Sequence, residues 1–378
     1  MAVLTEEETM LRDAARSWAA EKAPVSVLRR IRDKGVMDGW DRDLWAEMGA
    51  LGWTGVLVPE AHGGSAFGHR AMGLILEALG RTLTPTPLLS TALIGAEALN
   101  LAGSAEQKAA WLPRIAAGEV TVALAVDERA HHDPLKTSLS AKRDGEGWSL
   151  AGAKTFVMDG FAADLFVVAA RTAGEPGEAR GITLFLVEAR AKMLSRRRLH
   201  LIDSRGWADV ILNGVQVGPD AVLGEVDGGH DLLEQILDRA RVGLAAEMLG
   251  AATQAFETTL DYLKTRTQFG QVIGTFQALQ HRAAKMFTEL ELTRSCVEAA
   301  QDALDSRAND VRALASLAKV KANDTLHLIS NEMVQMHGGI GMTDAHDAGL
   351  YLKRARVAEA AFGSSSWHRD RYARLGGY

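Results

Sequence analysis

Two glycine-centred segments late in the chain carry residue types that suit an anionic ligand. RTQFGQVIGTFQ spans residues 266–277, and QMHGGIGMTD spans residues 335–344. Glycine turns at helix ends leave backbone N–H groups unpaired and let a ligand approach closely, which favours phosphate recognition. Gly338, Gly339 and Gly341, together with Arg266, are therefore predicted to face an anionic group. Neither segment has the strand context of a dinucleotide fingerprint, and glycines that only turn the chain are the alternative.

Long helices must position these segments. From about residue 229 the chain carries apolar residues at three-to-four spacing, as in Leu233, Leu237 and Leu244, and no proline interrupts the pattern up to the first glycine segment. That period is typical of amphipathic helices, and helices with short connections pack as an antiparallel bundle. The sequence predicts a four-helix bundle, with the later three helices at roughly 276–306, 310–336 and 345–361.

The preceding parts of the chain differ in pattern. Residues from about 5 to 117 read as helices, beginning with a capping box formed by Thr5 and Glu8. Short β-branched and aromatic runs follow, including the hairpin signal KRDGEGWSL. Such strands without intervening helices favour an antiparallel barrel or sandwich. The predicted fold is mainly α with a β domain, and its domains are an N-terminal helical domain at 1–117, a middle β domain at 118–224 and a C-terminal four-helix bundle at 225–378.

Composition narrows the class of protein. The 378 residues are 47% hydrophobic and 24% charged, and the 42 basic and 48 acidic residues give a net charge of −6. This balance argues against a nucleic-acid partner. No run of 18 apolar residues is present, so no membrane association is predicted, and the acidic start MAVLTEEETM predicts a cytoplasmic protein. Cys296 is the only cysteine, and His131, His132 and Asp133 lack further ligands, so no metal is predicted.

Four collinear segments together resemble the acyl-CoA dehydrogenase family. They are GWTGVLVPEAHGG, AGAKTFVMDGFAADLFVVAART and the two glycine-centred segments, and the likeness extends over nearly the whole chain. The resemblance implies the helix, barrel and bundle order. It also implies oxidation of a saturated acyl-CoA to the 2,3-enoyl thioester. In that reaction a carboxylate removes the α proton while the β hydrogen leaves as hydride to the flavin of FAD.

The resemblance assigns roles to residues that keep the family's types. The family clasps the pyrophosphate and adenosine of FAD, bound mainly to a neighbouring subunit, with the arginine of an R-x-x-F-G motif and the residues of a Q-x-x-G-G motif. Arg241 matches an arginine that the family keeps near the acyl-CoA, which implies substrate binding. The residues that match the FAD clasp are Arg266, Phe269, Gln277, Gln335 and Gly339.

The part of the family's pattern that grips the flavin ring is altered in this sequence. The segment VDERAHHDP lacks the usual Gly-Ser-Asp loop. Phe156 keeps an aromatic that could stack, but Met158 replaces a flavin-bonding threonine and cannot donate a hydrogen bond. Ser364 keeps a hydroxyl where relatives place a flavin-contacting threonine.

The two positions at which the family carries its catalytic base hold no acid. The glutamate that ends the last bundle helix of many members falls on Phe362, and the alternative position on the first bundle helix falls on Ala240. Glu247 and Glu359 are nearby stand-ins. A shift along a helix turns a carboxylate away from the original direction, which disfavours both.

A missing base beside an intact FAD clasp resembles the small, base-less subunits of two-component acyl-CoA dehydrogenases. The resemblance implies an acyl-CoA substrate, FAD, and a homologous base-bearing partner in a heterotetramer. One alternative is a homotetrameric acyl-CoA dehydrogenase that uses Glu247 or Glu359 as a displaced base. Another is a flavin-binding or purely structural relative that does not dehydrogenate.

Overall fold

The structure is a computed structural model that describes residues 4–378, and the predicted order of helices, sheet and bundle is confirmed. The predicted capping box opens the first helix: the Thr5 hydroxyl accepts from the backbone N–H of Glu8 at 3.1 Å, and the Glu8 carboxylate accepts from the N–H of Thr5 at 2.8 Å. The helices of the first part are α1 (Glu6–Lys22), α2 (Val25–Lys34), α3 (Arg42–Ala50), α4 (His69–Arg81), α5 (Ala96–Ala102) and α6 (Ala105–Ala116).

A twisted sheet forms the middle of the chain. Its interior is built from alternating apolar side chains, among which Trp148 packs edge-to-face on Phe185 with ring centroids 5.5 Å apart. The strands are β1 (Val122–Ala125), β2 (Ser140–Asp144), β3 (Gly147–Val157), β4 (Leu165–Arg171), β5 (Ile182–Glu188), β6 (Leu194–Arg198), β7 (Ala208–Val217) and β8 (Val222–Leu223).

The sheet has the order β6-β7-β3-β2-β4-β5-β8, with β1 paired to β4. The predicted hairpin is the β2–β3 turn, in which Asp144 lies opposite Gly147 and Gly145 adopts a φ of +58°. Most pairs are antiparallel as the sequence predicts. The β1–β4 pair and a single Ser140–Arg171 bridge between β2 and β4 run parallel. These two parallel pairings join strands that are distant along the chain.

Long helices make up the last part, and the predicted bundle is present. A short hairpin, whose two strands have two residues each, separates the first two bundle helices. One further helix, which the sequence did not predict, follows the bundle. The helices are α7 (Gly229–Thr265), α8 (Gln277–Asp305), α9 (Val311–His337), α10 (Ala348–Ala360) and α11 (Ser365–Leu375), and the hairpin strands are β9 (Thr267–Gln268) and β10 (Gln271–Val272).

The chain groups into two compact units, and α1 and α4 belong to the unit that holds most of the bundle. Glycines bring α4 and α7 into backbone contact within this unit. A Cβ on Gly80 would lie 2.0 Å from the carbonyl oxygen of Glu247, and a Cβ on Gly250 would lie 1.9 Å from that of Glu77. Among the described residues, the units are 4–28, 69–84 and 241–378, and 29–68 and 85–240. Across residues 4–378, no helix has the length and apolar character needed to cross a membrane.

Candidate functional site

The β9–β10 hairpin presents an aromatic side chain to the outside. Phe269 and Gly270 form its turn with φ values of +55° and +80°. Glycine tolerates this region, but a phenylalanine pays a conformational cost there, and such strain is concentrated at functional sites. Phe269 is 90% exposed, and only the edge of its ring approaches Phe276, at 6.2 Å between centroids. The turn therefore carries a strained, outward-facing aromatic that contributes little to the chain's own core.

The glycine loop after α9 is open on the side where side chains would stand. Gly338 has a φ of +62°, and a Cβ placed on Gly338 or Gly339 would meet no atom within 4 Å. Gly341 differs, because a Cβ there would lie 2.6 Å from the carbonyl oxygen of Val334. Packing explains Gly341, and backbone conformation explains Gly338. At Gly339 the open space fits the close approach of a group from outside the chain.

Stacked rings join the end of α7, which leads into the hairpin, to the glycine loop. Tyr262, on the last turns of α7, stacks on His337 with centroids 4.3 Å apart, and His337 stacks on His346 at the same distance. Arg266 lies four residues after Tyr262, and its backbone N–H donates to the carbonyl of Tyr262 at 2.9 Å. An ion pair between Arg282 and Glu332 joins α8 to α9 nearby. The two segments singled out by their glycines thus lie together at one end of the bundle.

His337 supplies an observation that points to a ligand. Its Nδ1–H donates to the carbonyl of Met333 at 2.7 Å, and burial lowers the pKa of His337, which keeps the ring neutral. The other ring nitrogen, Nε2, is buried and has no hydrogen-bond partner among residues 4–378. An orphaned buried acceptor calls for an explanation, and a donor from a bound molecule would supply one.

The residues predicted to clasp FAD are all exposed. Ile340 and Met342 add exposed apolar surface, at 43% and 78%. Exposed glycines, an arginine and amide side chains suit the pyrophosphate and adenosine of a flavin dinucleotide. Their exposure shows that the chain does not bury such a ligand in its own interior at this end. The exposed set is Arg266, Phe269, Gln277, Gln335 and Gly339.

The position of the missing base lies in a turn that is held by an arginine and a histidine. Phe362 adopts a φ of +56° between α10 and α11. Its carbonyl oxygen accepts from Nε of Arg241 at 3.2 Å and from Nε2 of His368 at 3.1 Å. Arg241 is fully buried, and its guanidinium lies 4.6 Å from the centroid of the Trp367 ring. Arg241 therefore holds this turn. The sequence did not reveal this role; it predicted only that Arg241 binds the substrate.

A buried lysine, which the sequence did not single out, also holds this turn. Nζ of Lys319 donates to Oδ1 of Asn323 at 2.6 Å and to the carbonyls of Ala358 and Gly363 at 3.0 and 3.4 Å. Burial, opposed by the Glu359 charge and reinforced by the Arg241 charge, lowers the pKa of Lys319 to about 7. The available signal was a lysine among small residues on the buried face of α9.

Both stand-in carboxylates are engaged in ion pairs. Glu247 meets Nη1 of Arg354 at 3.0 Å, and both side chains are buried. It lies seven residues after Ala240, so it shares that face of α7 but sits about 10 Å further along the axis. Glu359 contacts Arg356 at 2.7 Å and His327 at 3.2 Å. Partnered carboxylates displaced from the expected position are poorly placed to remove a substrate proton.

The residues predicted to meet the flavin ring have distinct environments. Phe156 lies at an irregularity between β3 and β7, with a φ of +50° and 39% exposure, and bulges of this kind re-aim side chains. Met158 is buried. Ser364 caps α11, because its hydroxyl accepts from the N–H of Trp367 at 3.3 Å. Phe156 therefore stays available for stacking, while the Ser364 hydroxyl already has a structural role.

Comparison with known proteins identifies the class. The profiles for the acyl-CoA dehydrogenase N-terminal, middle and C-terminal domains match residues 5–119, 127–215 and 227–376. The chain belongs to the acyl-CoA dehydrogenase family. Members of this family are FAD-dependent flavoproteins and oxidoreductases that act on CH–CH bonds.

Particular relatives cover almost the entire chain. Cyclohex-1-ene-1-carbonyl-CoA dehydrogenase from Geobacter metallireducens is 31% identical, over 96% of each chain. The Tcur3481–Tcur3483 steroid ACAD is 32% identical with a TM-score of 0.89, over 98% of each chain. The ChsE4–ChsE5 complex from Mycobacterium tuberculosis gives 25% identity and a TM-score of 0.89, over 100% of this chain and 99% of the other. Two of these three structures and sequences are named as pairs of proteins.

Proposed function

We propose that this chain is the base-less subunit of a two-chain, FAD-dependent acyl-CoA dehydrogenase that converts a saturated acyl-CoA to the 2,3-enoyl-CoA. A homologous partner carries the catalytic carboxylate and most of one FAD site. This chain completes that site. The observation that carries the proposal is the exposure of every residue predicted to clasp FAD, on a chain that has Phe362 and Ala240 at the positions predicted for the base.

The chemistry that FAD supplies in this family is oxidation of a CH–CH bond. In the proposed assembly Arg266 neutralises pyrophosphate charge, and the open backbone at Gly339 lets the dinucleotide approach. Phe269 covers the ligand from the hairpin turn. Nothing in these roles requires an acid in this chain. Phe362 cannot accept a proton, and its turn is stabilised by Arg241, which already donates to the carbonyl.

Two of the relatives described above support a two-chain assembly, since the ChsE4–ChsE5 complex and the Tcur3481–Tcur3483 steroid ACAD are both named as pairs. Bulky acyl groups such as steroid side chains are the substrates that this likeness favours. A homotetramer that uses Glu247 or Glu359 as its base is the weaker proposal, because Arg354 and Arg356 already partner these carboxylates.

The test counts flavin. The chain is purified alone and, separately, with a co-expressed base-bearing homologue, and the visible flavin spectrum is recorded for each. We expect little flavin with the chain alone and about one flavin for every two chains in the complex. A full complement of flavin in the chain alone, bleached by an acyl-CoA, would show a self-sufficient enzyme.

A further inference from the structure

A charged cleft lies in the compact unit that contains α1, α4 and most of the bundle. Side chains from α1, α4, α7 and α8 enclose a cavity of about 790 Å³. None of its lining residues belongs to the two glycine segments or to the Phe362 turn. Guanidinium groups are prominent in it, supplied by Arg12, Arg16, Arg70, Arg81 and Arg294.

Arg16 is the least satisfied cation of this cleft. Its side chain is 40% exposed. Its polar contact within residues 4–378 is with Oε1 of Glu77, at a long distance of 3.4 Å. The same oxygen accepts from Nη1 of Arg294 at 3.0 Å, so two guanidinium groups share one carboxylate oxygen. A guanidinium has five N–H donors, and Arg16 therefore keeps donors that can serve a ligand.

The guanidinium groups of three further arginines act on the charge of Arg16. Burial lowers the pKa of Arg16, Glu77 opposes that effect, and the neighbouring guanidinium groups of Arg81, Arg12 and Arg294 lower it again. A guanidinium stays charged at any physiological pH, so these groups can attract an anion throughout that range.

The acidic side chains of the cleft are committed to other cations. Glu257 pairs with Arg81, and Glu291 lies 3.5 Å from Nε of Arg294. Glu298 acts on Arg70, whose pKa is lowered by burial but raised overall by Asp302, Glu8 and Glu298. Arg12 contacts Asp13 at 2.8 Å. Glu77 is thus the carboxylate that Arg16 meets, and it is shared.

We propose that this cleft binds a small multivalent anion, whose phosphate or carboxylate oxygens are held by Arg16 and Arg294. Paired guanidinium groups match the geometry of such oxyanions, and the cavity has the size of a small-molecule site. Thr253 lies beside them, since its hydroxyl accepts from Arg294 at 3.4 Å. The site goes beyond the proposed function and needs neither the flavin nor the partner's base.

The experiment measures binding by titration calorimetry on the full-length chain at a fixed ionic strength of about 0.15 M, because screening affects exposed charges. Inorganic pyrophosphate and citrate are the probes, and they separate phosphate from carboxylate ligands. The variants are Arg16→Gln, Arg16→Lys and Arg266→Gln, with Arg374→Gln as the control outside both sites. Thermal unfolding of each variant confirms that it folds.

At least one probe should bind to the wild-type chain, and Arg16→Gln should weaken that binding by about tenfold or more. The affinity of Arg16→Lys for the probe should fall between those of the wild type and Arg16→Gln, because lysine keeps the charge but lacks the planar guanidinium. Arg374→Gln should bind as the wild type does, and the loss caused by Arg16→Gln should persist in an Arg266→Gln background, in which pyrophosphate cannot use the arginine of the glycine segments. The proposal is overturned if neither probe binds, if Arg16→Gln binds normally, or if only Arg266→Gln loses binding. Binding of an acidic peptide without either small anion would also overturn it.

Discussion

Replacing Lys319 by methionine should change how the stability of the chain depends on pH. Lys319 is fully buried, and its pKa is lowered from 10.5 to about 7. Between these values the unfolded chain binds one proton more than the folded chain, so folding stability rises with pH. Below pH 7 both the folded and the unfolded chain carry the proton, so the cost of burying the charged lysine no longer changes with pH.

The magnitude follows from linkage. The slope in this window is about 1.4 kcal/mol per pH unit, and for these two pKa values the wild type gains roughly 2 kcal/mol between pH 7 and pH 9. Methionine has no proton to bind, so Lys319→Met should lose this gain. It also leaves the carbonyls of Ala358 and Gly363 without their donor, which lowers stability at every pH.

The assay is urea unfolding at pH 7, 8 and 9, with the protein concentration held constant because an oligomer's stability depends on it. The quantity compared is the free energy of unfolding of wild type minus that of Lys319→Met. Lys321→Met is the matched control on the same helix, where the lysine contacts Glu289 and remains 22% exposed. A wild-type-minus-variant difference that stays flat from pH 7 to pH 9 would refute the reasoning.

Three further changes test the site. Arg266→Gln should reduce FAD retention by the two-chain complex about tenfold or more, measured by flavin released on dilution, while the melting temperature of the chain alone stays the same. Phe269→Asn should raise stability by about 1 kcal/mol in urea unfolding, because asparagine tolerates a positive φ, yet it should weaken flavin retention; unchanged retention would remove Phe269 from the clasp. Glu359→Gln should leave turnover per flavin within about twofold, since its ion pairs lie near the surface, and a large loss would make Glu359 the base.

Local patterns made much of the fold predictable. The capping box at Thr5 and the hairpin at Asp144 each depend on residues only a few positions apart, and both form as expected. The last helix, Ser365–Leu375, was not predicted, because SSWHRDRYARL has almost no apolar period. The parallel β1–β4 pairing joins residues more than 40 positions apart, and no local signal encodes it.

The candidate site divides in the same way. Glycine segments can be recognised directly in a sequence, and Gly338 and Gly339 do lie in an open loop. Arg241 and Lys319 could be recognised only after folding, because their partners are carbonyl oxygens, which every residue has. Side-chain identity predicts what a residue can donate, whereas the fold decides which acceptor it meets.

The amount of flavin per chain tests the central claim most directly. The account predicts almost no flavin on the chain purified alone, and about one flavin for every two chains after co-expression with a base-bearing homologue. A chain that alone holds one flavin per subunit, and whose flavin is bleached by an acyl-CoA, would contradict it.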